Sequence, residues 1–367
     1  MVKKAEFLLV CCVSVAVLSL CFLSATTVPQ RYTRINEPYQ LPECMAAGGD
    51  QQRDCFKAQN RISAVHFKLL ADHYIGNYSV PATYADQLRR IRMSEPLELD
   101  NQITKDGAVI FVEPLKLKDA LLLALDRFVL ITGDGDECLP DCVLSRDETL
   151  SLTENPKLIK WYVTNCVGTE VSGKLECIPI GLNQHKTSLA DMQKLYESGV
   201  GLVNGLEPKN WDWDSRRPRY ILSSFSLWTN RTARRPAYNY FCGWNWGNDP
   251  NQKSIQSVTN CIFKSGISGL SFAKHVLAPS MFVVAPHGRG LDCYRTWETL
   301  LLGGYPIVTS SSIDALYDKL PVLIVNQWDD VTEELLERTV AEFRVRKFDY
   351  SKLYMDYWAK RISSSLK

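Results

Sequence analysis

The stretch from residue 282 to residue 308 constrains the fold of this chain more than any other. It opens with an apolar run, Phe282–Ala285, and closes with a second one, Tyr305–Thr309. Short, continuous apolar runs are typical of strands that are buried in a parallel sheet. A loop with two glycines and a segment of helical periodicity separate the two runs. The stretch therefore predicts a strand–loop–helix–strand unit of an α/β protein.

The helix of this unit is expected to carry two distinct faces. It should begin after Asp292, a residue type that caps helices, and run to about Leu302, before the glycine pair at 303–304. The apolar face that packs on the sheet should consist of Tyr294, Trp297, Leu300 and Leu301. Arg295 and Glu298 are three residues apart and share another face.

The loop before this helix has the properties of an anion site. Its central residues are His287, Gly288, Arg289 and Gly290. Glycines let a ligand approach the backbone closely, and free N–H groups and the helix dipole favour negative charge at a helix N-terminus. Arg289 and Arg295 add positive charge, so the diphosphate of a nucleotide sugar fits here, with Glu298 accepting hydrogen bonds from its ribose. The alternative is an ordinary surface helix with an Arg295–Glu298 pair.

The same run resembles the C-terminal part of exostosin-type glycosyltransferases. Those enzymes share a long pattern of fixed spacing across the loop, the helix and the second strand. This chain matches the pattern at Gly288, Gly290, Leu291, Asp292, Arg295, Trp297, Glu298, Leu300, Gly303, Pro306 and Val308. It departs from the commoner family form at His287, where an arginine is frequent.

The resemblance implies a GT-B fold, in which two Rossmann-like domains face a cleft. It also implies transfer of a sugar from a nucleotide-sugar donor, UDP-linked by analogy, to a glycan or glycoprotein acceptor. By the same analogy Glu298 meets the ribose of the donor, and residues 287–295 meet its diphosphate or sugar. Arginines and a helix N-terminus can stabilise the leaving diphosphate, so no metal cofactor is expected.

The first half of the chain is expected to form one α/β domain, residues 61–203. Its predicted strands are Val109–Val112, Phe128–Thr132 and Leu175–Ile180. Its predicted helices are Leu117–Leu125, Asn155–Asn165 and Leu189–Glu197. The second of these helices has Pro156 in its first turn, where proline is well tolerated.

A second α/β domain is expected over residues 204–345. The composition of residues 204–217 is that of a linker, and the following strands should be Tyr220–Phe225, Phe282–Ala285, Tyr305–Thr309 and 321–325. Asp329 and Asp330 should cap a helix that runs to about Arg344. The C-terminal segment, 346–367, should form a last helix over Tyr350–Ile362. In a GT-B fold such a helix crosses back to the first domain.

The N-terminus predicts a membrane anchor. Lys3 and Lys4 precede an apolar stretch over residues 7–25, which is just long enough to span a bilayer and leaves residues 1–6 in the cytoplasm. A cleaved signal peptide is the alternative. Residues 26–60 are polar and irregular and are expected to form a stem. In either case the remainder enters the secretory lumen, and the family resemblance suggests the Golgi or the endoplasmic reticulum.

Nine cysteines follow the apolar stretch, so at least one is unpaired within the chain. Pairing neighbours along the sequence gives Cys44–Cys55, Cys138–Cys142, Cys166–Cys177 and Cys242–Cys261, and leaves Cys293 free. Sequence does not fix this connectivity. Two sequons, at Asn77 and Asn230, fit a lumenal glycoprotein.

Two carboxylates follow the predicted strand Phe128–Thr132. Asp134 and Asp136 are separated by one glycine, and three interpretations stay open. In the first, the two residues only form a turn. In the second, one of them is a general base that deprotonates an acceptor hydroxyl. In the third, both hold a divalent metal ion, as in a GT-A transferase.

Further candidates lie in the middle of the chain. Arg231 follows the strand Tyr220–Phe225 and is favoured over Arg235 as a ligand of the donor phosphates. A glycan on Asn230 would obstruct this loop, so donor binding and glycosylation exclude each other, and donor binding is favoured. Trp244 and Trp246 are expected to stack on an acceptor sugar. His185 is expected to be a solvated loop residue rather than a base.

Composition limits the partners. A net charge of +1 gives no argument for binding nucleic acid. Motifs of serine hydrolases, P-loop proteins and zinc proteases are absent from the sequence. The expected partners are a nucleotide sugar, a glycan or glycoprotein acceptor and a membrane. A lumenal glycan-binding protein that has the fold but lacks catalysis is the non-enzymatic alternative.

Overall fold

The computed structural model describes residues 62–76, 106–121, 126–167, 172–183, 220–243, 249–263 and 269–367. All of them belong to one compact unit, Gln40–Lys367. The expected anchor at 7–25, the stem at 26–60 and the helix at 189–197 lie outside the described residues. Within the described ranges, no helix combines the length and apolarity needed to cross a membrane.

Five parallel strands form the first sheet and lie side by side in the order of the chain. They are β1 (His73–Ile75), β2 (Ala108–Val112), β3 (Phe128–Thr132), β4 (Leu158–Val163) and β5 (Leu175–Cys177). β2 and β3 are buried along their whole length, as continuous apolar runs in parallel sheets are. Because all five strands point the same way, the loops at their carboxyl ends share one edge of the sheet.

The helices of this half are α1 (Ala64–Leu70), α2 (Leu117–Ala120) and α3 (Arg146–Glu154). The prediction of a helix over 155–165 is wrong. Ser145 and Glu148 form a capping box that starts α3 earlier, and Asn155 ends it. The residues after Pro156 form β4 instead, because their aromatic and β-branched side chains are buried between β3 and β5.

Five further parallel strands form the second sheet. They are β6 (Ile221–Ser223), β7 (Thr259–Cys261), β8 (Phe282–Val284), β9 (Tyr305–Thr309) and β10 (Leu323–Val325). Their spatial order is β10–β9–β8–β6–β7. The chain moves outward from β6 to β7 and then returns to the other side of β6, which is the order of a doubly wound sheet. The prediction of an α/β protein with two parallel sheets is therefore confirmed.

The helices of the second half are α4 (Arg231–Cys242), α5 (Pro250–Ser257), α6 (Gly269–Phe272), α7 (Tyr294–Leu301), α8 (Glu333–Val345) and α9 (Met355–Ser364). α7 ends as the sequence predicts: Gly303 has φ +75°, and the N–H of Gly304 donates to the carbonyl of Thr299 at 3.0 Å. The predicted cap of α8 is wrong, because Thr332 and not the Asp329–Asp330 pair accepts the first-turn N–H.

The last helix returns to the first sheet, as expected. The Tyr162 hydroxyl of β4 donates to the carbonyl of Arg361 at 3.1 Å, and the rings of Phe67 and Trp358 pack with centroids 6.2 Å apart. One apolar cluster runs from the first sheet through α9 to Trp297 of α7. This shared core holds the loops at the carboxyl ends of the two sheets in a fixed relation.

Three predicted cysteine pairs are confirmed. Cys138–Cys142, Cys166–Cys177 and Cys242–Cys261 lie at disulfide distance, with Cα–Cα separations of 5.2, 5.6 and 6.0 Å. Cys293 is free, as predicted, and the Cys44–Cys55 pair lies outside the described residues. The first two pairs fix the segments that follow β3 and β4, at the edge of the first sheet that carries the candidate site.

Candidate functional site

The reversal of strand order between β6 and β8 marks the place where the second sheet can bind a ligand. In open α/β sheets, ligands bind at the carboxyl ends of the strands beside such a reversal, because the loops that follow diverge and leave a crevice. Here these loops are residues 224–230 and 285–293. The second loop contains the predicted anion-binding residues His287, Gly288, Arg289 and Gly290. Sequence pattern and topology therefore point to the same crevice.

Two side chains at the start of α4 tie the two loops together. Arg234 is buried, and its guanidinium donates from Nε to the carbonyl of His287 at 2.9 Å and from Nη1 to that of Ser226 at 2.8 Å. Asn230 donates from Nδ2 to the carbonyl of Gly288 at 2.7 Å. Burial lowers the pKa of Arg234, yet the side chain stays charged because an arginine titrates far above neutral pH. The two loops are therefore joined around a fixed positive charge.

Two predicted arginines are exposed in or next to these loops. Arg231 is exposed in the first turn of α4, with its guanidinium 5.7 Å from the ring of the exposed Trp228. Arg289 is exposed in the loop after β8. Neither forms an ion pair with any residue that the structure describes, so both remain accessible to an anion.

The Arg295–Glu298 pair forms as the spacing predicts. Nη1 of Arg295 lies 3.1 Å from Oε2 of Glu298, and each side chain is about a quarter exposed, at 22% and 25%. The guanidinium also lies 4.8 Å from the ring of Phe272. This is the geometry of a surface ion pair, and the partial exposure leaves both groups able to meet a ligand.

The environment of His287 favours the neutral form of its imidazole. Burial lowers the pKa of its imidazole. A hydrogen bond with the Thr309 backbone and the charge of Asp314 act in the opposite direction and raise this pKa. A neutral imidazole donates through one nitrogen and accepts through the other. His287 can therefore contact a sugar hydroxyl without adding charge to the crevice.

Asp292 has a different role from the predicted one. Cys293, and not Asp292, is the N-cap residue of α7. The Asp292 carboxylate is buried and accepts hydrogen bonds from the Trp297 indole at 2.8 and 2.9 Å, from the Ile180 N–H at 2.8 Å and from the Tyr317 hydroxyl at 3.3 Å. Ile180 follows β5, so this carboxylate links the first sheet to the loop after β8.

Burial raises the pKa of Asp292 to about 6. Hydrogen bonds from Ile180, Trp297, Cys293 and Tyr317 act in the opposite direction. A carboxylate surrounded only by donors and removed from water is structural, because its removal leaves several buried N–H and O–H groups without an acceptor. Asp292 therefore links the two halves of the site, the first sheet and the loop after β8, through hydrogen bonds.

Asn165 forms a second link between the halves. It follows β4; its Oδ1 accepts from the Asp292 N–H at 2.8 Å, and its Nδ2 donates to the carbonyl of Gly135 at 3.1 Å. A Cβ atom on Gly290 would lie 2.4 Å from this Nδ2. Position 290 therefore requires glycine, because the Asn165 side chain occupies the space of a Cβ atom. Gly288 lies next to the Arg234 guanidinium, whose Nη2 would be 3.3 Å from a Cβ at this position.

The first sheet contributes a buried charge cluster that the sequence analysis missed. Lys68 of α1 is 1% exposed and pairs through Nζ with the Asp134 carboxylate and, at 3.5 Å, with Oε1 of Glu113. Its Nζ also lies 3.4 Å from the Tyr74 hydroxyl. The available signal was a single lysine in a mostly apolar helix, because a lysine is almost never fully buried unless it is paired.

The two predicted carboxylates of the first sheet differ in environment. Asp134 is engaged by Lys68, while Asp136 is exposed. Among the described residues, no cluster of three or more His, Cys, Asp or Glu side chains has the arrangement of a metal site. The Lys68 ammonium that is bonded to Asp134 would compete directly with a metal cation for this carboxylate.

Some candidates lie outside the described residues, namely Trp244, Trp246, His185 and the sequon at Asn77. The sequence analysis weighed Arg231 against Arg235 and did not single out Arg234. Helical spacing could have identified it, because Arg234, Ala237 and Phe241 fall on one buried face of α4.

Asn230 is expected to carry no glycan. Its Nδ2 donates to Gly288, and its Oδ1 caps α4 by accepting from the Ala233 N–H at 3.1 Å. Asn230→Ala should lower the free energy of unfolding by about 1–2 kcal/mol. Thr232→Ala removes the sequon at an exposed residue and should leave stability unchanged. Peptide mass spectrometry and denaturant unfolding check this; a glycan on Asn230 in the folded protein would contradict it.

No protein-family model matches the chain, and no curated protein matches it significantly. What the site can bind therefore follows from its own residues. These are two loops at the strand reversal of the second sheet that the buried Arg234 joins, with exposed arginines in or next to them, and the loop with the carboxylates of the first sheet, which is linked to them through Asn165.

Proposed function

We propose that the protein is a glycosyltransferase of GT-B type that moves a sugar from a nucleotide-sugar donor to a glycan or glycoprotein acceptor. The observation that carries the proposal is the pair of loops after β6 and β8, which Arg234 and Asn230 join by hydrogen bonds. The second loop contains two glycines and Arg289 and leads into the N-terminus of α7, whose first turn contains Arg295. Arg231 is exposed at the start of α4, next to the first loop. Such a site favours a diphosphate over a neutral ligand.

The residues divide into donor and acceptor sides. Arg289, Arg295 and the N–H groups at the start of α7 would hold the diphosphate and stabilise the charge that develops as it leaves. Glu298 would accept hydrogen bonds from the ribose, and neutral His287 would contact the sugar. The loop 133–137 of the first sheet lies next to this crevice through Asn165 and would receive the acceptor. Since the positive charge is supplied by arginines, the proposed reaction needs no metal ion.

The donor by family resemblance is a UDP-sugar, and the proposed location is the Golgi or endoplasmic reticulum membrane, with the anchor at residues 7–25. The metal-dependent GT-A alternative would need Asp134 as a ligand. Lys68 already occupies that carboxylate, which supports the metal-independent form. A catalytically inactive glycan-binding protein remains an outcome of the experiment below.

The test is a panel of UDP- and GDP-sugars on the purified protein, following thermal unfolding and donor hydrolysis with and without EDTA. A donor at a hundredfold excess over its Kd should stabilise the native state by about 2.7 kcal/mol. Stabilisation that survives EDTA supports the proposal, whereas stabilisation abolished by EDTA favours the GT-A alternative. Glycan binding without response to any donor would favour the binding protein.

Arg295→Ala and Glu298→Ala test the site assignment. Both side chains are on the partly exposed face of α7, so each variant should fold with a change in unfolding free energy of no more than about 1 kcal/mol. Donor-dependent transfer should fall by about a hundredfold or more, because each removes a charged contact to the donor. Transfer at the wild-type rate in both purified variants would contradict the assignment.

A further inference from the structure

The loop 133–137 holds its two aspartates in unlike ways. Asp134 has φ +63°, a left-handed conformation that aspartate tolerates better than most residues. Its carboxylate is 15% exposed and bonded to the ammonium of Lys68. Asp136 is exposed and accepts no hydrogen bond from a described residue. One carboxylate is therefore committed within the fold, and the other is available to a ligand.

The ammonium of Lys68, which is the partner of Asp134, makes several further contacts. Nζ of Lys68 lies 3.5 Å from Oε1 of Glu113 and 5.0 and 5.6 Å from the ring centroids of Tyr74 and Phe111. A buried ammonium needs such partners, because its transfer from water is costly unless it is paired. Lys68 therefore fixes Asp134, and with it the start of the loop.

The far part of the loop is fixed toward the second sheet. Asn165 accepts from Asp292 and donates to the carbonyl of Gly135, the residue between the two aspartates. A Cβ on Gly135 would lie 2.6 Å from Cγ of Pro114, so a larger residue does not fit between the two aspartates without a shift of the loop. The charge of Asp136 raises the pKa of Arg234, in opposition to burial, so its field reaches the crevice.

We infer that Asp136 is the base that accepts the proton of the acceptor hydroxyl, and that Lys68 is a positioning residue that fixes the loop through Asp134. This inference rests on the proposed function. The hydroxyl proton passes to the Asp136 carboxylate while the acceptor oxygen bonds to the anomeric carbon. The bond from that carbon to the diphosphate oxygen breaks, and the diphosphate leaves with the electron pair. Protonated Asp136 returns its proton to solvent.

The first experiment compares Asp136→Asn with Asp141→Asn, an exposed carboxylate in the segment after the loop. Asp136→Asn should lower kcat for transfer by about 10²- to 10⁴-fold and abolish the fall of kcat/KM at acidic pH. Donor-induced stabilisation should be unchanged in both, and Asp141→Asn should transfer at the wild-type rate. Retained transfer in Asp136→Asn would overturn the inference, as would loss of the acidic limb in Asp134→Asn alone.

The second experiment tests Lys68 with Lys68→Met and Lys68→Arg. Lys68→Met removes the ammonium that pairs with Asp134 and Glu113, so kcat should fall at least tenfold while donor-induced stabilisation persists. Lys68→Arg keeps the charge and should recover part of that loss. A Lys68→Met protein that folds and transfers normally would overturn the positioning role. If wild-type protein neither binds nor transfers a sugar, the proposed function fails; if it does both and Asp136→Asn is active, the inference alone fails.

Discussion

Replacing Asp292 by alanine is expected to lower the free energy of unfolding by about 3–5 kcal/mol. The change leaves the buried donors of Ile180, Cys293, Trp297 and Tyr317 without their acceptor. Denaturant unfolding followed by fluorescence measures the loss. Glu337→Ala, at an exposed carboxylate of α8, is the control and should change stability by less than about 0.5 kcal/mol.

The Asp292→Asn variant tests whether the charge of this side chain or its volume accounts for its contribution to stability, because asparagine keeps the volume and removes the charge. Both carboxylate oxygens accept hydrogen bonds. In the asparagine variant, the NH₂ group that replaces either oxygen would therefore point at another hydrogen-bond donor. We expect this variant to be destabilised almost as strongly as the alanine variant. An asparagine variant as stable as the wild type would show that packing, and not the acceptors, accounts for the role of Asp292.

Asp292 also predicts a pH dependence. Its pKa is about 6 in the folded protein against an ordinary 3.8, so the folded state holds the proton more tightly than the unfolded chain. The resulting stabilisation is complete below pH 4 and is lost as the pH rises through 6. The stability difference between wild type and Asp292→Asn should therefore shrink by about 1.4 kcal/mol from pH 5 to pH 7.5. A difference that grows with pH would mean that the donors outweigh burial.

Replacing Arg234 by lysine is expected to reduce donor affinity by about tenfold to a hundredfold. Lysine keeps the positive charge but cannot bond the carbonyls of His287 and Ser226 at once with a planar fork. The two loops that line the crevice then lose their fixed spacing, and the donor has to order them on binding. Calorimetric titration with a donor that the nucleotide-sugar panel identifies measures the change.

The control for Arg234 is its neighbour on the same helix. Arg235 is exposed and makes no hydrogen bond with a described residue. Arg235→Lys should therefore bind the donor as the wild type does. Equal affinity in both lysine variants would show that charge alone, without the bracing of the loops, holds the diphosphate.

Local patterns were sufficient for most strands. The runs at 128–132 and 305–309 are strands with the predicted bounds, because continuous apolar residues suit a position between two layers of helices. The pattern fails over 155–165, where Pro156 predicts the start of a helix. The capping box at Ser145 and Glu148 was the correct local signal, and pairing of β4 with β3 and β5 decided the rest.

The candidate site was only partly predictable. The loop at 287–290 stood out because glycines and a helix start are local features. The roles of Asp292 and Arg234 did not, because an aspartate before a helix suits a cap, and nothing in the neighbouring residues indicates an indole or a second loop as partner. Lys68 was missed for the same reason: its carboxylate partners come from two other segments of the chain.

The sequence by itself determined the α/β class, the alternation of strands and helices and the glycine loop of the second half. These properties depend on residues close together in the chain. The tertiary structure alone decided the order of the strands, the crevice at their reversal and the contacts that join the two halves. Asn165 and Asp292 are 127 residues apart, and Lys68 and Asp134 are 66 apart. Periodicity and capping report only on neighbours within a few turns, so such contacts are fixed only when the sheets and helices pack into one core.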